Sequence, residues 1–329
     1  MYKIKINNNY EINANSEETI LDAIHNSSFS HSYSCLKGRC NSCKVKVLNG
    51  RTLIKNSEIT LSSFEKDKGF VLACCRLVDS DLEITTDNFY NSPRPNEIIL
   101  PVKINSILYH TTDIAELTFS FPKRLDFNFF PGQYIKIKNK NNIEKSISIL
   151  SYDGTNKLIS LLFKKIKNGE LSNYIFNSAK LNDSLIITGP FGFSNFFSFT
   201  EKNIILIATG VGISPIKCML NNKFTSDFFN NKKITLLWGN KSVANFIYDF
   251  KDEMSKFNIK YFKYLSTTNS NRNFEYGYVH HYISKNYKVL NDTVVYACGI
   301  EKMVSETKSI CNNLGLDSKY FISDVFVES

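Results

Sequence analysis

The sequence is poor in cysteine and lacks a long apolar run. Eight cysteines in 329 residues are far fewer than a disulfide-rich scaffold contains. The most apolar stretch, residues 204–220, is interrupted by Gly210, Gly212 and Pro215, so no membrane-spanning helix is predicted. The first thirty residues lack the basic and then apolar pattern of a secretory signal. These absences predict a cytoplasmic protein with no membrane partner.

Positive charge is concentrated beyond residue 90. The chain holds 40 Lys+Arg and 31 Asp+Glu, a formal net charge of +9, but residues 1–90 hold 11 of each sign and are neutral. A basic region binds either nucleic acid or an anionic cofactor. Because no block of five or more basic residues occurs, the pattern favours an anionic cofactor and solvated surface, and predicts no nucleic-acid partner.

The spacing of apolar residues predicts three segments, the first being a small α+β domain over residues 1–90. A helical pattern over 19–24 is expected to be capped by Asn15 or Ser16. Strands are expected over 2–6, 44–48, 70–73 and 82–85, with a short helix near 61–67. The polar stretch 87–97, which contains Pro93 and Pro95, is expected to be a linker.

Residues 97–199 and 200–329 differ in their periodicity. The first range contains short strand-like runs between glycine turns, which predicts an antiparallel β-barrel. These runs are 100–107, 116–121, 134–137, 146–150, 159–163 and 184–187. The second range alternates buried strands with helices, which predicts a parallel α/β sheet. Its strands are expected at 204–208, 234–238, 260–265 and 294–297, with helices from Ser214, from Val243 and after 297.

Five of the eight cysteines lie within 41 residues. The spacing is Cys35-x4-Cys40-x2-Cys43, and after thirty intervening residues comes the doublet Cys74-Cys75. A structural zinc site usually consists of two CxxC pairs, whereas three thiolates from one loop and a lone fourth are typical of a plant-type [2Fe–2S] cluster. Small residues in the loop, Gly38 and Ser42, allow backbone amides to approach the sulfurs. Both members of the doublet are candidates for the fourth ligand.

Two glycine-containing turns follow buried strands of the third segment. Gly210-Val-Gly-Ile-Ser-Pro215 lies between a strand and a helix, where backbone amides can face a pyrophosphate. Tyr296-Ala-Cys-Gly299 ends a later strand, and ligands bind at the carboxyl edge of such sheets. The first turn alone is also compatible with an ordinary strand-to-helix connection. In the second turn, Cys298 alone is also compatible with a buried core thiol.

Taken together, these motifs resemble the ferredoxin–NADP reductase superfamily, in the form that carries an N-terminal plant-type ferredoxin. The likeness extends to Pro131-Gly-Gln-Tyr134, Gly169-Glu-Leu-Ser172, Gly189-Pro-Phe-Gly192, Trp238-Gly-Asn-Lys241 and the terminal Phe321-Ile-Ser-Asp-Val-Phe326. It implies a β-grasp (α+β) ferredoxin domain over 1–90, an antiparallel β-barrel flavin domain over 97–199 and an α/β parallel-sheet nucleotide-binding domain over 200–329.

Within the superfamily, the chain is similar to the CDP-6-deoxy-hexulose 3-dehydrase reductases of 3,6-dideoxysugar biosynthesis (the CDP-6-deoxy-Δ3,4-glucoseen reductases). The features that carry this likeness are Cys74-Cys75 with Ser80-Asp-Leu-Glu83, Asn168-Gly-Glu-Leu-Ser-Asn-Tyr-Ile-Phe176, Val295-Tyr-Ala-Cys-Gly299 and Phe326-Val327. The likeness implies a relay from NADH through FAD and the [2Fe–2S] cluster to a partner, a pyridoxamine-phosphate (PMP)-dependent CDP-6-deoxy-hexulose 3-dehydrase.

The resemblance also implies site residues. Cys74 precedes Ser80-Asp81 by six residues, as the family's fourth ligand does, so the implied cluster ligands are Cys35, Cys40, Cys43 and Cys74, and Cys75 becomes a small buried residue. Ser148, Cys298 and Phe326 are implied to lie beside the reacting rings. The implied cofactor-binding set adds Pro131, Gln133, Tyr134, Lys145, Ser146, Ile147, Gly169, Leu171, Ser172, Gly210, Gly212, Ser214, Pro215, Gly239, Lys241, Gly299 and Met303.

The chain departs from the family's Arg-x-Tyr-Ser flavin signature at Lys145-Ser-Ile-Ser148. Lysine keeps a positive charge but loses the bidentate fork, and Ile147 lacks an aromatic ring, so we expect FAD to be held more weakly than usual. We find no Ser/Arg pair for a 2′-phosphate, which favours NADH over NADPH, although Lys241 offers one positive charge. Two alternatives are the reductase component of a ring-hydroxylating dioxygenase or monooxygenase, and a non-enzymatic redox-sensing iron–sulfur module.

Overall fold

The computed structural model describes residues 1–91, 95–139, 143–193, 196–267 and 274–326. Packing divides the chain into two units. The first comprises Met1–Arg94, Gly192–Ser198 and Ile322–Val325, and the second comprises Pro95–Phe191, Phe199–Phe321 and Phe326–Ser329. Pro93 of the expected linker and Val327 of the expected tail lie outside the described residues. No helix of the described ranges is long and apolar enough to cross a membrane.

The first unit is built on a five-stranded mixed sheet in the order β2-β1-β8-β4-β6, with the pairs β3-β9 and β5-β7 beside it. Its strands are β1 (Tyr2–Ile6), β2 (Tyr10–Ala14), β3 (Ser30–His31), β4 (Lys44–Asn49), β5 (Thr52–Ile54), β6 (Phe70–Leu72), β7 (Arg76–Val78), β8 (Leu82–Thr85) and β9 (Phe89–Tyr90). Its helices are α1 (Ile20–His25) and α2 (Ser63–Asp67). Ile20 and Ile24 of α1 are fully buried in one core with Ile4 and Ile6.

In the second unit, six antiparallel strands close a barrel in the order β10-β11-β14-β13-β12-β15. They are β10 (Ile98–Tyr109), β11 (Ile114–Ser120), β12 (Tyr134–Lys138), β13 (Glu144–Asp153), β14 (Leu158–Lys164) and β15 (Ser184–Phe191), with α3 (Glu170–Asn177) between the last two. Alternate residues such as Ile135, Ile137 and Leu161 are fully buried in the barrel core, as period-two patterning requires.

The rest of the second unit holds five strands in the order β19-β18-β17-β16-β20, which pair in parallel. These strands are β16 (Asn203–Thr209), β17 (Lys233–Asn240), β18 (Ile259–Leu265), β19 (Glu275–Tyr276) and β20 (Thr293–Ile300). A last strand, β21 (Phe321–Phe326), has its central residues Ile322–Val325 in the first unit. The helices are α4 (Ile213–Asn221), α5 (Ser226–Phe229), α6 (Lys251–Lys256), α7 (His281–Asn286) and α8 (Glu301–Asn313). The three predicted fold classes are confirmed.

The amino end of α1 is capped by Thr19, so the expectation of Asn15 or Ser16 was wrong. Thr19 Oγ1 accepts a hydrogen bond from the Asp22 N–H at 3.1 Å, and Asp22 Oδ2 accepts one from the Thr19 N–H at 3.1 Å, which is a capping box. Asn15 forms a separate turn instead, since its N–H donates to Glu18 Oε2 at 2.8 Å.

The helix expected from Val243 is reduced to one 3-10 turn, Val243–Asn245, and α6 begins only at Lys251. Between β17 and α6, Phe246, Tyr248 and Phe250 each contact the indole of Trp238, with ring centroids 5.3, 6.2 and 6.2 Å away. Residues two apart lie on one side of an extended chain and not of a helix. The contacts with the buried tryptophan therefore favour an irregular, non-helical segment over residues 246–250.

Candidate functional site

The loop from Cys35 to Cys43 curls back upon its own sulfurs. The backbone N–H groups of Lys37 and Arg39 both donate to Cys35 Sγ at 3.3 Å. The turn needs a positive φ of +71° at Gly38, where a Cβ atom would lie 2.2 Å from the Ser57 carbonyl oxygen. Backbone donors directed at a thiolate sulfur stabilise its negative charge, so this loop geometry suits cluster ligands.

The four predicted ligands form two pairs. The Cys35 N–H donates to Cys40 Sγ at 3.5 Å, and the Cys43 thiol donates to Cys74 Sγ at 3.3 Å. Hydrogen bonds from the side chains of Cys35 and Cys43 lower the pKa of Cys40 and of Cys74, respectively. In the described ranges, no three His, Cys, Asp or Glu side chains could hold one metal ion. Two pairs are what a two-iron cluster with four cysteine ligands needs.

Within the cysteine doublet, the two sulfurs have different surroundings. Cys74 Sγ lies beside Cys43, whereas the Cys75 thiol is fully buried and points toward the Ser57 carbonyl oxygen at 3.9 Å. The sulfurs of the doublet are 3.6 Å apart. The contact with Cys43 therefore supports Cys74 as the fourth ligand.

The residues of the flavin signature lie on β13, opposite β12. Ser148 faces Tyr134, and Ser146 faces Lys136, while Lys145 and Ile147 lie opposite the buried Ile137 and Ile135. Paired residues of an antiparallel ladder share a face, so the two serines and the lysine–isoleucine pair occupy opposite faces. Ile147 packs against the barrel core. The predicted contact between Ile147 and the flavin stays a prediction.

An aromatic surface lies beside Ser148. Tyr134 stacks on Phe191 with ring centroids 5.6 Å apart, and Lys136 Nζ lies 4.8 Å from the centroid of the Phe191 ring. The preceding turn is rigid, because the buried Gln133 side chain accepts a hydrogen bond from the Phe130 N–H at 2.6 Å and Pro131 is buried too. The aromatic surface of Tyr134 and Phe191, the Lys136 ammonium group and the buried Ser148 hydroxyl are together suited to binding a flavin.

The predicted phosphate turn leads into α3. Gly169 is the N-cap of this helix and offers no side-chain cap, which leaves the first N–H groups available to an anion. Leu171 and Ser172 are buried, and Ser172 Oγ accepts a hydrogen bond from the Ile166 N–H at 2.8 Å. Ser172 thus stabilises the turn that would present the helix end to a phosphate group.

The two glycine turns of the nucleotide-binding segment meet at the carboxyl ends of β16 and β20, which are neighbours in the sheet. A Cβ at Gly212 would lie 2.4 Å from the Cys298 carbonyl oxygen, and one at Gly299 would lie 2.1 Å from Thr209 Oγ1. In contrast, a Cβ at Gly210 would meet no heavy atom within 4 Å. The glycines therefore allow two backbone segments to meet while the space beside Gly210 stays open for a ligand.

The other residues predicted for this edge support the turns. Ser214 is buried and donates to the Val211 carbonyl oxygen at 2.9 Å, Pro215 and Cys298 are buried, and Met303 Cε lies 3.2 Å from the Cβ position of Gly299. A Cβ at Gly239 would lie 2.8 Å from Val279. Lys241 is exposed just beyond β17, and Phe326 is the half-buried last residue of β21.

Trp238 has a supporting role that the sequence motifs do not predict. Its indole Nε1–H donates to the Gly210 carbonyl oxygen at 2.9 Å. This hydrogen bond stabilises the glycine turn. The available signal was the single tryptophan of the chain at the end of a buried strand, since a buried indole N–H needs an acceptor.

Comparison with known sequence families gives three matches in the order expected. Residues 4–79 match the 2Fe-2S iron-sulfur cluster binding domain, residues 101–196 the oxidoreductase FAD-binding domain and residues 206–309 the oxidoreductase NAD-binding domain. The chain therefore binds a [2Fe–2S] cluster, FAD and NAD(H), and the residues described above fit these groups. The predicted boundaries 1–90, 97–199 and 200–329 stay predictions.

Curated relatives and a solved structure match this chain over most of its length. The chain is 32% identical over 316 residues, 94% of each chain, to the CDP-6-deoxy-L-threo-D-glycero-4-hexulose-3-dehydrase reductase of Yersinia pestis. It is 26% identical to the reductase component of propane 2-monooxygenase from Mycolicibacterium goodii, covering 89% of this chain and 88% of the relative. The crystal structure of Amycolatopsis cytochrome P450 reductase GcoB shares the fold, with a TM-score of 0.77, 18% identity and coverage of 100% and 99%.

The fold, the paired cysteines and these matches define an NAD(P)H-dependent FAD and [2Fe–2S] oxidoreductase of the ferredoxin–NADP reductase superfamily. Such reductases are electron-transfer components that serve partner enzymes. Within that class, the chain belongs to the family of the CDP-6-deoxy-L-threo-D-glycero-4-hexulose-3-dehydrase reductases.

Proposed function

We propose that this chain is the NADH-dependent reductase of a PMP-dependent CDP-6-deoxy-hexulose 3-dehydrase in 3,6-dideoxysugar biosynthesis. The observation that carries the proposal is the 32% identity to a reductase of that name over 94% of both chains. Each NADH that is oxidised to NAD⁺ releases one proton and two electrons, and the partner would receive the electrons one at a time. Bound FAD and [2Fe–2S] supply the exchange between electron pairs and single electrons.

The chain's own residues would bind and orient these groups. Cys35, Cys40, Cys43 and Cys74 would hold the cluster, with the Lys37 N–H donating to a ligand sulfur. Ser148, beside the Tyr134–Phe191 stack, would hydrogen-bond the flavin, and Lys145 would offset phosphate charge. The open turn at Gly210 would receive the pyrophosphate of NADH. No side chain would be required to move a proton, because bound FAD would accept a hydride from NADH.

NADH is the expected donor in preference to NADPH. Only Lys241, exposed beyond β17, supplies positive charge among the residues predicted at the adenosine end. The ratio of kcat/KM for NADH to that for NADPH tests this expectation in the purified enzyme. If NADPH is the better substrate, and if Lys241→Gln does not change the ratio, the assignment of NADH as the donor is wrong.

The decisive experiment is reconstitution with the proposed partner. The anaerobic protein, loaded with FAD and cluster, is mixed with a PMP-dependent 3-dehydrase and its CDP-6-deoxy-hexulose substrate, and NADH oxidation is followed with product analysis. The proposal expects one NADH consumed per 3-deoxygenated sugar, and only when dehydrase and substrate are both present. NADH-dependent reduction of cytochrome c without sugar turnover would contradict the partner assignment and would favour a monooxygenase or dioxygenase component, as the propane 2-monooxygenase relative suggests.

Docking of the partner is proposed at the loop 36–42. Lys37 is exposed there, and its own N–H donates to Cys35 Sγ. Lys37→Glu and Arg39→Glu should slow electron transfer to the dehydrase at low ionic strength, because screening by salt weakens such charge contacts. Lys3→Glu, on the exposed face of β1, is the control. An unchanged rate in both loop variants would exclude this docking site.

A further inference from the structure

A loop in the first unit joins the two segments that carry the predicted cluster ligands. This bridging loop comprises residues 55–61. On one side the Thr60 hydroxyl donates to Asn41 Oδ1 at 2.6 Å, within the loop that carries three cysteines. On the other side the Lys55 N–H donates to the Cys75 carbonyl oxygen at 2.8 Å. The bridging loop therefore sets the separation between the cysteine loop and the segment of Cys74.

At the centre of the bridging loop lies a buried carboxylate, Glu58, which is only 5% exposed. Glu58 Oε1 accepts hydrogen bonds from the Leu72 N–H at 2.7 Å and from Arg76 Nε at 3.0 Å. Its second oxygen accepts one from Arg76 Nη2 at 2.6 Å. A carboxylate with a bidentate guanidinium partner is strongly oriented, and burial makes the loss of either partner unfavourable.

The position of these contacts along the chain links them to the cluster. Leu72 precedes Cys74 by two residues, and Arg76 follows it by two. Glu58 thus binds the backbone N–H of Leu72 before the predicted fourth ligand and the guanidinium of Arg76 after it. The cluster itself gains one negative charge on reduction, so unpaired charge next to its ligand changes the energy of the reduced state more than that of the oxidised state.

We propose that Glu58 and Arg76 are positioning residues for the iron–sulfur cluster, which hold the Cys74 segment against the cysteine loop and keep a balanced pair of charges beside it. The inference rests on the proposed assignment of Cys74 as a ligand. It assigns opposite effects to the two charges. Arg76 left without Glu58 stabilises the reduced cluster, and Glu58 left without Arg76 stabilises the oxidised cluster.

The test is a redox titration of the cluster in the full-length anaerobic protein, followed by electron paramagnetic resonance. Glu58→Gln should raise the ratio of reduced to oxidised cluster at fixed potential by about tenfold, which is about 59 mV for one electron. Arg76→Gln should lower the same ratio by a similar factor. The double variant should return close to wild type, and Arg76→Lys, which keeps the charge, should shift less than Arg76→Gln. Glu11→Gln on the exposed β1–β2 pair is the matched control.

Shifts of the same sign in both single variants would overturn the proposal, because general loosening of the structure does not depend on which charge is removed. Unchanged potentials in all variants would overturn it too. If single variants lose iron while keeping FAD and native circular dichroism, recovery of iron in the double variant supports the proposal, and failure to recover refutes it. Cluster retained in Cys74→Ala would instead refute the ligand assignment, which is a separate outcome.

Discussion

Substituting alanine for Gly210 tests the nucleotide site, because this glycine can be matched with one that has no role there. Gly210 has a φ of +55° and Gly315, just after α8, a φ of +81°. A Cβ at Gly210 would meet nothing within 4 Å, and one at Gly315 only Val289 Cγ2 at 3.9 Å. Gly210→Ala and Gly315→Ala therefore share backbone strain and avoid steric clash, and they differ in what the new methyl group faces.

The expected losses of stability and of NADH affinity follow from the backbone strain and from the position of the new methyl group. A left-handed backbone costs an alanine about 1 kcal/mol, which lowers Tm by roughly 2–4 °C in a domain of this size for either variant. Beside Gly210, the methyl group fills the space proposed for the pyrophosphate. The loss of one charge-assisted hydrogen bond costs about 1.5–3 kcal/mol, so the Kd for NADH should rise about tenfold or more.

The assay is thermal unfolding by circular dichroism together with the KM for NADH, measured with ferricyanide as an artificial acceptor. We expect both variants to lose similar stability and only Gly210→Ala to bind NADH more weakly. Equal KM values for Gly210→Ala and Gly315→Ala would refute the placement of the pyrophosphate at this turn. If the KM for NADH increases in both variants, the increase is caused by lost stability and not by the position of Gly210.

Three further predictions concern the other sites. Cys74→Ala should abolish the cluster's visible absorption bands while Cys75→Ala keeps them, and the reverse result would make Cys75 the fourth ligand. Lys145→Arg should lower the Kd for FAD about fivefold, because a guanidinium binds phosphate bidentately, whereas Lys103→Arg on the exposed face of β10 should not. His31 is fully buried, and burial lowers its pKa from 6.5 to about 4. As the pH falls, the unfolded state therefore binds a proton at this histidine before the folded state does. The free energy of unfolding should be largest above pH 6.5 and should decrease as the pH drops toward 4. Urea unfolding at pH 7 and pH 5 should show a pH dependence that is weaker in His31→Gln.

Sequence spacing predicted the chemistry of the cluster better than it predicted local backbone structure. The spacing of Cys35, Cys40 and Cys43 is sufficient because ligands on one loop must lie at fixed separations to reach two irons. The expected helix from Val243 stops after one 3-10 turn, because the aromatic residues that follow contact Trp238, and that contact is not visible along the chain. The cap of α1 could have been predicted, since Thr19 and Asp22 form a capping box in the sequence itself.

The sequence by itself determined the three fold classes and the cluster type, because periodicity and cysteine spacing are local properties of the chain. Only the tertiary structure revealed the contact between Cys74 and Cys43, the carboxylate of Glu58 beside the fourth ligand, and the meeting of Gly212 with Cys298. Each joins residues more than ten positions apart, and burial with hydrogen bonding selects such pairs only after the strands have assembled. The sequence supplies the groups, and packing decides which of them share a site.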